Sequence, residues 1–141
     1  MRVLGLDLGD KRIGVALSDP LGWTAQGLAV IASAGGTKSD LRRIKELAVK
    51  HEVEKVVVGL PLNMDGTAGP RAEKARVFAD RLAGALGLPV ELWDERLTTA
   101  QAERLLINAD VKRAGRRQVI DKIAAVLILQ NYLDAADRCA K

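Results

Sequence analysis

The 141-residue sequence is poor in the side chains from which many catalytic sites are built. It holds one Cys, one His and four aromatic residues, namely Trp23, Trp93, Phe78 and Tyr132. A single Cys139 excludes an internal disulfide, and a disulfide-linked partner is not expected. Cys139 and His51 together cannot make a structural zinc site. The only imidazole sits in the polar stretch Lys50-His51-Glu52, so a His-based triad is not expected. No apolar run approaches the ~20 residues of a membrane span. The opening MRVLGLD lacks a signal-peptide layout. A soluble cytoplasmic protein with no membrane partner is the expectation. No internal repeat, low-complexity tract or Pro/Ser-rich linker is present, so one domain over residues 1–141 is expected. A chain of this size buries roughly 68–70% of its unfolded surface, enough for a real core. What is plentiful is charge: 22 Lys+Arg against 18 Asp+Glu gives a net +4, an excess that permits an acidic partner.

Hydrophobic patterning predicts the elements. Arg2–Leu8 is an apolar run of strand length closed by Gly9-Asp10-Lys11, and Ile13–Leu17 and Ala25–Ile31 follow as strands. Asp19-Pro20 and Leu21-Gly22 supply turn chemistry between the last two. Thr37 or Ser39 is the expected cap of a helix with Leu41, Ile44, Leu47 and Ala48 at helical spacing. Lys55–Leu60 reads as a buried strand. Pro70 then starts a helix with Ala75, Phe78, Ala79, Leu82 and Leu86 on one face, and Gly87 ends it. Val90–Trp93 is a strand, Thr98 or Thr99 caps a helix through Ala109, and a last helix runs from about Gln118 to Ala136. The order β-β-β-α-β-α-β-α-α predicts an α/β fold. Its five-stranded mixed sheet begins as an antiparallel meander and continues in αβ units, with helices on both faces. The strands at Arg2, Lys55 and Val90 are expected to be parallel neighbours. Sites in such sheets form beyond the carboxyl ends of the parallel strands, which here carry Asp7, the Gly59–Thr67 loop and Asp94-Glu95.

Asp7 stands inside an otherwise apolar strand, where a carboxylate has poor propensity and is costly to bury unpaired. The bland alternative is an Asp making a local turn with Gly9. The flanking leucines favour a functional residue. Asp121 stands near the start of a helix that is apolar on most sides between Val119 and Leu133. Its bland alternative is a first-turn acid stabilised by the helix dipole, worth about 0.3–1 kcal/mol. Asp94-Glu95 ends a strand, and alternation lets only one of the two face a site there; spacing leaves both open. Carboxylates gathered without His or Cys suit hard cations, Mg²⁺ or Mn²⁺, bound through oxygen. Such ions serve phosphoryl chemistry.

Lys112-Arg113-Ala114-Gly115-Arg116-Arg117 carries four positive charges and no negative one just before Asp121. A charge run is usually a solvated loop, but beside a metal site it could bind phosphates. Lys11-Arg12, four and five residues after Asp7, are expected to add to the same surface. The Pro61–Gly69 loop is long for a βα connection and leads to a helix N-terminus that attracts anions. Its Asn63, Asp65 and Thr67 are either phosphate-contacting groups or plain turn formers.

Four segments carry a family resemblance: Gly5-Leu6-Asp7-Leu8-Gly9-Asp10-Lys11-Arg12-Ile13-Gly14-Val15-Ala16, Val58-Gly59-Leu60-Pro61-Leu62-Asn63-Met64-Asp65-Gly66-Thr67, Asp94-Glu95-Arg96-Leu97-Thr98-Thr99, and Asp121 through Gln130. In this order they resemble the YqgF (RuvX) family over nearly the whole chain. The resemblance implies a ribonuclease H-like fold and a nuclease related to Holliday-junction resolvases, acting on the 5′ end of precursor 16S rRNA. It implies an acidic site of Asp7, Glu95 and Asp121, choosing Glu95 over Asp94. These residues would hold two Mg²⁺ or Mn²⁺ ions, with hydrolysis giving 5′-phosphate and 3′-hydroxyl products. Lys11, Arg12, Asn63, Thr67, Arg96, Lys112, Arg113, Arg116 and Arg117 are the expected nucleic-acid contacts. The partner is RNA, with single-stranded or branched DNA as the alternative substrate of a junction resolvase. A monomer serves RNA processing, whereas junction resolution needs a homodimer. Two other classes compete: a non-catalytic nucleic-acid-binding or transcription-associated factor, and an ATPase or sugar kinase with a similar first hairpin.

Overall fold

The two strongest apolar runs, Val3–Leu8 (β1) and Lys55–Leu60 (β4), lie side by side at the centre of a five-stranded sheet. Around them the chain adds Arg12–Ser18 (β2), Ala25–Ala32 (β3) and Val90–Asp94 (β5), in the order β3-β2-β1-β4-β5. The helices are Lys38–Lys50 (α1), Pro70–Leu86 (α2) and Arg113–Ala140 (α3). This computed structural model describes residues 2–9, 11–33, 38–62, 65–94 and 113–140, the last stretch with side chains only for 122–135. β1, β2 and β3 form the expected antiparallel meander, and β1, β4 and β5 are parallel.

Strand alternation sorts the side chains into two cores. Leu4, Leu6, Ile13, Val15, Val56 and Val58 meet Ile44 and Ala48 of α1 and Phe78, Ala79 and Leu82 of α2. Val3, Ala16 and Val57 face the other way, onto Ala125, Ile128, Leu129, Tyr132 and Leu133 of α3. Helices therefore cover both faces, and β4 is buried on both sides as its uninterrupted valines require. Pro70 occupies the first turn of α2, and Gly87 ends it in the left-handed conformation at φ 67°, donating its N–H to Ala83. Asp19 holds the β2–β3 corner: its Oδ1 accepts from the backbone N–H of Trp23 (2.6 Å) and Thr24 (3.0 Å). The Thr24 N–H, followed by that of Trp23, keeps the Asp19 carboxyl below its ordinary pKa.

Three boundaries differ from expectation. α3 starts at Arg113 and runs to Ala140, so the Arg113–Arg117 backbone is helical and not a loop. Arg and Ala are strong helix formers, and the single Gly115 costs only about 1 kcal/mol relative to Ala. Ser39 lies inside α1 and is not its cap; the first turn instead buries Asp40, whose Oδ2 accepts from the Ser33 hydroxyl at 2.8 Å. Thr37 and the helix expected from Thr98 or Thr99 to Ala109 fall outside the described residues. Among the described residues, no helix is long and apolar enough to cross a membrane.

α3 is fixed to the sheet at two levels. Near the middle of β1, Gly5 leaves the space that the helix occupies: a Cβ there would sit 2.8 Å from Cβ of Leu129 and 3.3 Å from the Ala125 carbonyl oxygen. Near the amino end of β4, Lys55 donates to the Tyr132 hydroxyl and pairs with Glu91 (Nζ to Oε2, 2.8 Å), while Trp93 meets the Tyr132 ring edge-on at 5.5 Å. Lys55 is the first cause that holds the Glu91 carboxyl below its usual range, and Glu91 in turn is the first cause raising Lys55.

Gly5→Ala is expected to cost about 1–3 kcal/mol, because the obstructing atoms are the base of a side chain and backbone that cannot swing away. In a thermal melt this is a fall of about 3–10 °C. The Glu91–Lys55 pair has a definite pH signature. A depressed folded pKa for Glu91 gives stability that is present above its unfolded value and lost as pH falls through the folded one. The raised Lys55 contributes below its unfolded value and loses that contribution as pH rises through its folded one. Glu91→Gln should therefore flatten the decline of Tm below about pH 5. The change is modest, because the Glu91 side chain is 46% exposed. Melts across the acid range check this.

Candidate active site at the carboxyl end of the parallel strands

The parallel register of β1, β4 and β5 brings Asp7, Leu60 and Asp94 to one end of the sheet, Leu60 directly opposite Asp94. Asp7 shares strand parity with Val3 and Gly5, so it belongs to the face covered by α3. It is half-buried, and its partner in the β1–β2 ladder is Gly14, which puts no side chain beside it. Arg12 follows the parity of Gly14 and Ala16, which places it on the same face beyond the end of β1, half-buried. Lys11 is exposed in the connecting turn.

α3 runs antiparallel to β1. Tyr132 lies at Lys55, which is opposite Val3, whereas Ala125 and Leu129 lie over Gly5. Asp121 is one helical turn before Ala125. A turn advances about 5.4 Å, close to the rise of two strand residues, so the Asp121 backbone lies toward the Asp7 end on the Asp7 face. The next residue, Lys122, is exposed and lays its methylenes against Gly27, where a Cβ would come within 2.6 Å of them.

The two acidic residues that close β5 are separated by its parity. Glu91 and Trp93 are on the α3 face, and Val90 and Leu92 pack into the α1–α2 core. Asp94 thus belongs to the α1–α2 face, opposite Asp7. Glu95, Arg96, Asn63 and Lys112 fall outside the described residues, as do the side chains of Asp121, Arg113, Arg116 and Arg117. Among the described residues, no three His, Cys, Asp or Glu side chains form a group able to hold a metal. His51 follows α1, where its carbonyl accepts from Arg2 at the amino end of β1, so the single imidazole is at the opposite end of the sheet.

In the Pro61–Gly69 loop, Asp65 Oδ1 accepts from both the Thr67 N–H (2.9 Å) and the Thr67 hydroxyl (2.6 Å). These two residues form a local turn. The pin of Lys55, Glu91 and Tyr132 was not expected, and its signal is absent from local sequence because 77 positions separate Lys55 from Tyr132. A further group of cations on α2, with Lys74 and Arg81 seven residues apart, carried a local signal in that spacing.

The family model described as RuvX, Holliday junction resolvase, matches residues 1–135. The chain belongs to the RuvX family. A relative from Pelotomaculum thermopropionicum is 67% identical over 138 residues, 98% of this chain and 90% of its own length, and carries the provisional name pre-16S rRNA nuclease. A Listeria monocytogenes RuvX relative of the same provisional name is 59% identical, over 97% of this chain and all of its own. The solved structure of Thermus thermophilus RuvC with a Holliday junction substrate matches at a TM-score of 0.57 and 19% identity, covering 97% of this chain and 96% of that one. At that identity the likeness concerns the fold, which is ribonuclease H-like as expected for RuvX.

Proposed function

We propose that this RuvX-family chain is a nuclease that hydrolyses phosphodiester bonds of precursor 16S rRNA at its 5′ end, through a site of Asp7, Glu95 and Asp121. The observation that carries the reading is the convergence of β1 and α3: Gly5 sets their separation, and the strand and helix bearing Asp7 and Asp121 lead to the same end of the same face. The names of the relatives in Pelotomaculum and Listeria support the substrate. The parity of β5 supports Glu95 by removing Asp94 from that face.

The donor chemistry fits a hard divalent cation. The acids proposed for the site offer only carboxylate oxygen, and the single imidazole lies at the far end of the sheet. Asp7, Glu95 and Asp121 would hold one or two Mg²⁺ or Mn²⁺ ions. Such ions, when bound, lower the pKa of water and stabilise the leaving oxygen, giving 5′-phosphate and 3′-hydroxyl ends. Asp7 contributes a carboxylate fixed on a paired strand, which holds its position better than a loop would. Arg12 supplies positive charge on the Asp7 face, suited to the phosphates of the substrate strand. Lys11, Arg96, Lys112 and the arginines that open α3 would extend that surface, with Asn63 and Thr67 at the α2 end.

Asp7→Asn keeps the shape and removes the charge. It is expected to lower cleavage of a 5′-extended 16S rRNA fragment by about 10²–10³-fold with Mn²⁺ or Mg²⁺, with RNA binding retained. Asp94→Asn should leave the rate within about twofold, because its side chain belongs to the other face. Cleavage by Asp7→Asn at the wild-type rate, or no cleavage by the wild type, would defeat the reading. The description of the family model as a Holliday junction resolvase favours one second substrate. A four-way junction assayed beside the rRNA fragment distinguishes them.

A further inference from the structure

Across the sheet from Asp7, the structure has a groove of about 610 Å³ between the β1–β2 turn and α2. Its apolar floor includes Leu8, Ile13 and Phe78, and its α2 wall carries Arg71, Lys74 and Arg81. Residues 71, 74, 78 and 81 follow the 3-4-3 spacing of one helix face. Phe78 is therefore turned into the core, and the exposed cations line up beside it. Lys74 and Arg81 are about 10 Å apart along the axis. Neither makes a hydrogen bond or ion pair with a described residue. Among the described residues the lining holds one acid, Glu73, which is paired with Arg76 at 3.1 Å. The α2 wall is thus cationic, with no counter-charge for Lys74 and Arg81 among the described lining residues.

The groove begins one residue from the candidate catalytic acid. Leu8 and Gly9 belong to it, while Asp7 projects from the opposite face of the same strand end. The crest between them is low. Gly9 donates its N–H to the Arg12 carbonyl at 2.8 Å, and a Cβ at Gly9 would stand 2.7 Å from that oxygen. We infer that this groove is the seat for the flank of the substrate strand: single-stranded RNA crosses the sheet end from Asp7 and lays its phosphates along Lys74 and Arg81, with sugar and base against the apolar floor. The inference rests on the nuclease reading proposed above. It adds a contact surface on α2, on the face opposite the arginines that open α3. An apolar floor with a charged wall suits an anion that carries apolar surface, and contact with aliphatic side chains is tolerant of sequence.

The test uses the full chain with Asp7→Asn, which binds without cutting, and a fluorescein-labelled single-stranded RNA titrated at several salt concentrations. Adding Lys74→Gln and Arg81→Gln should weaken binding roughly tenfold at moderate salt and reduce the slope of log K against log salt by about 1.4, the value for two phosphate contacts on a single strand. The melting temperature should stay within about 2 °C, because both side chains are exposed. On otherwise wild-type protein, the same pair should slow cleavage of a long RNA while leaving a dinucleotide-sized substrate unaffected, since the latter is too short to reach α2. If Asp7→Asn binds RNA and the added pair changes neither affinity nor slope, the groove assignment falls and the nuclease reading stands. If Asp7→Asn binds no RNA, or the wild type cuts none, both fall. Binding of a free nucleoside monophosphate that is lost with Lys74→Gln and Arg81→Gln, without any effect on RNA affinity, would make the groove a small-molecule site and overturn the strand assignment.

Discussion

The absence of one side chain, at Gly5, sets the distance between α3 and the central strand. Everything on that face follows from the close approach. Ala125 and Leu129 reach the backbone of β1, Val3, Ala16 and Val57 are sealed beneath the helix, and the helix direction carries Asp121 toward the end of the sheet that bears Asp7. Packing at this density leaves little slack, so a displacement at Gly5 is transmitted along a rigid rod to residues one and two turns away. The same contact that stabilises the hydrophobic layer therefore determines the relative placement of two acids 114 positions apart.

The far end of α3 is fastened by polar and aromatic contacts instead. Lys55 and Glu91 come from neighbouring strands and Tyr132 from the helix, so one cluster ties together three elements that share no local sequence. Gln130 adds a fourth connection, accepting from the Ala25 N–H at 2.9 Å and donating to the Trp23 carbonyl at 3.0 Å. With its middle close-packed and its carboxyl half tethered, α3 is held in rotation as well as in distance. That matters for the residues it carries, Asp121 among them, because a rotation of a helix by one residue would move a side chain by about 100°.

The sheet was readable from the sequence because its signals are local: uninterrupted valines for a strand buried on both faces, Pro70 and Gly87 bracketing α2, Asp19 and Gly22 at the corner. Asp7 was readable for the opposite reason, as a charge that broke an apolar run. The start of α3 was not, since Gly115 and four positive charges look like a loop, and helix propensity competes with that appearance over only a few residues. The alternation rule limited Asp94 and Glu95 to one on the site face without deciding which. That Asp94 belongs to the α1–α2 face is visible only with Trp93 seated on Tyr132, a contact between distant parts of the chain. The α2 groove escaped for a related reason. Its cations follow a helix face, but Leu8 and Ile13 of its floor come from β1 and β2, and only the folded sheet brings the two together.

The outer strand β3 carries a consequence for solubility. Between Val15 and Ala16 of β2 the ladder to β3 slips from Ala29 to Gly27, leaving Leu28 as an extra residue. A bulge of this kind bends and twists a strand. Close to it, the methylenes of Lys122 lie across Gly27 with the charged end of an exposed side chain beyond them. A bent edge guarded by a lysine is a poor template for a strand from another copy. The β3 edge of the sheet can thus resist the edge-to-edge stacking that seeds insoluble fibres.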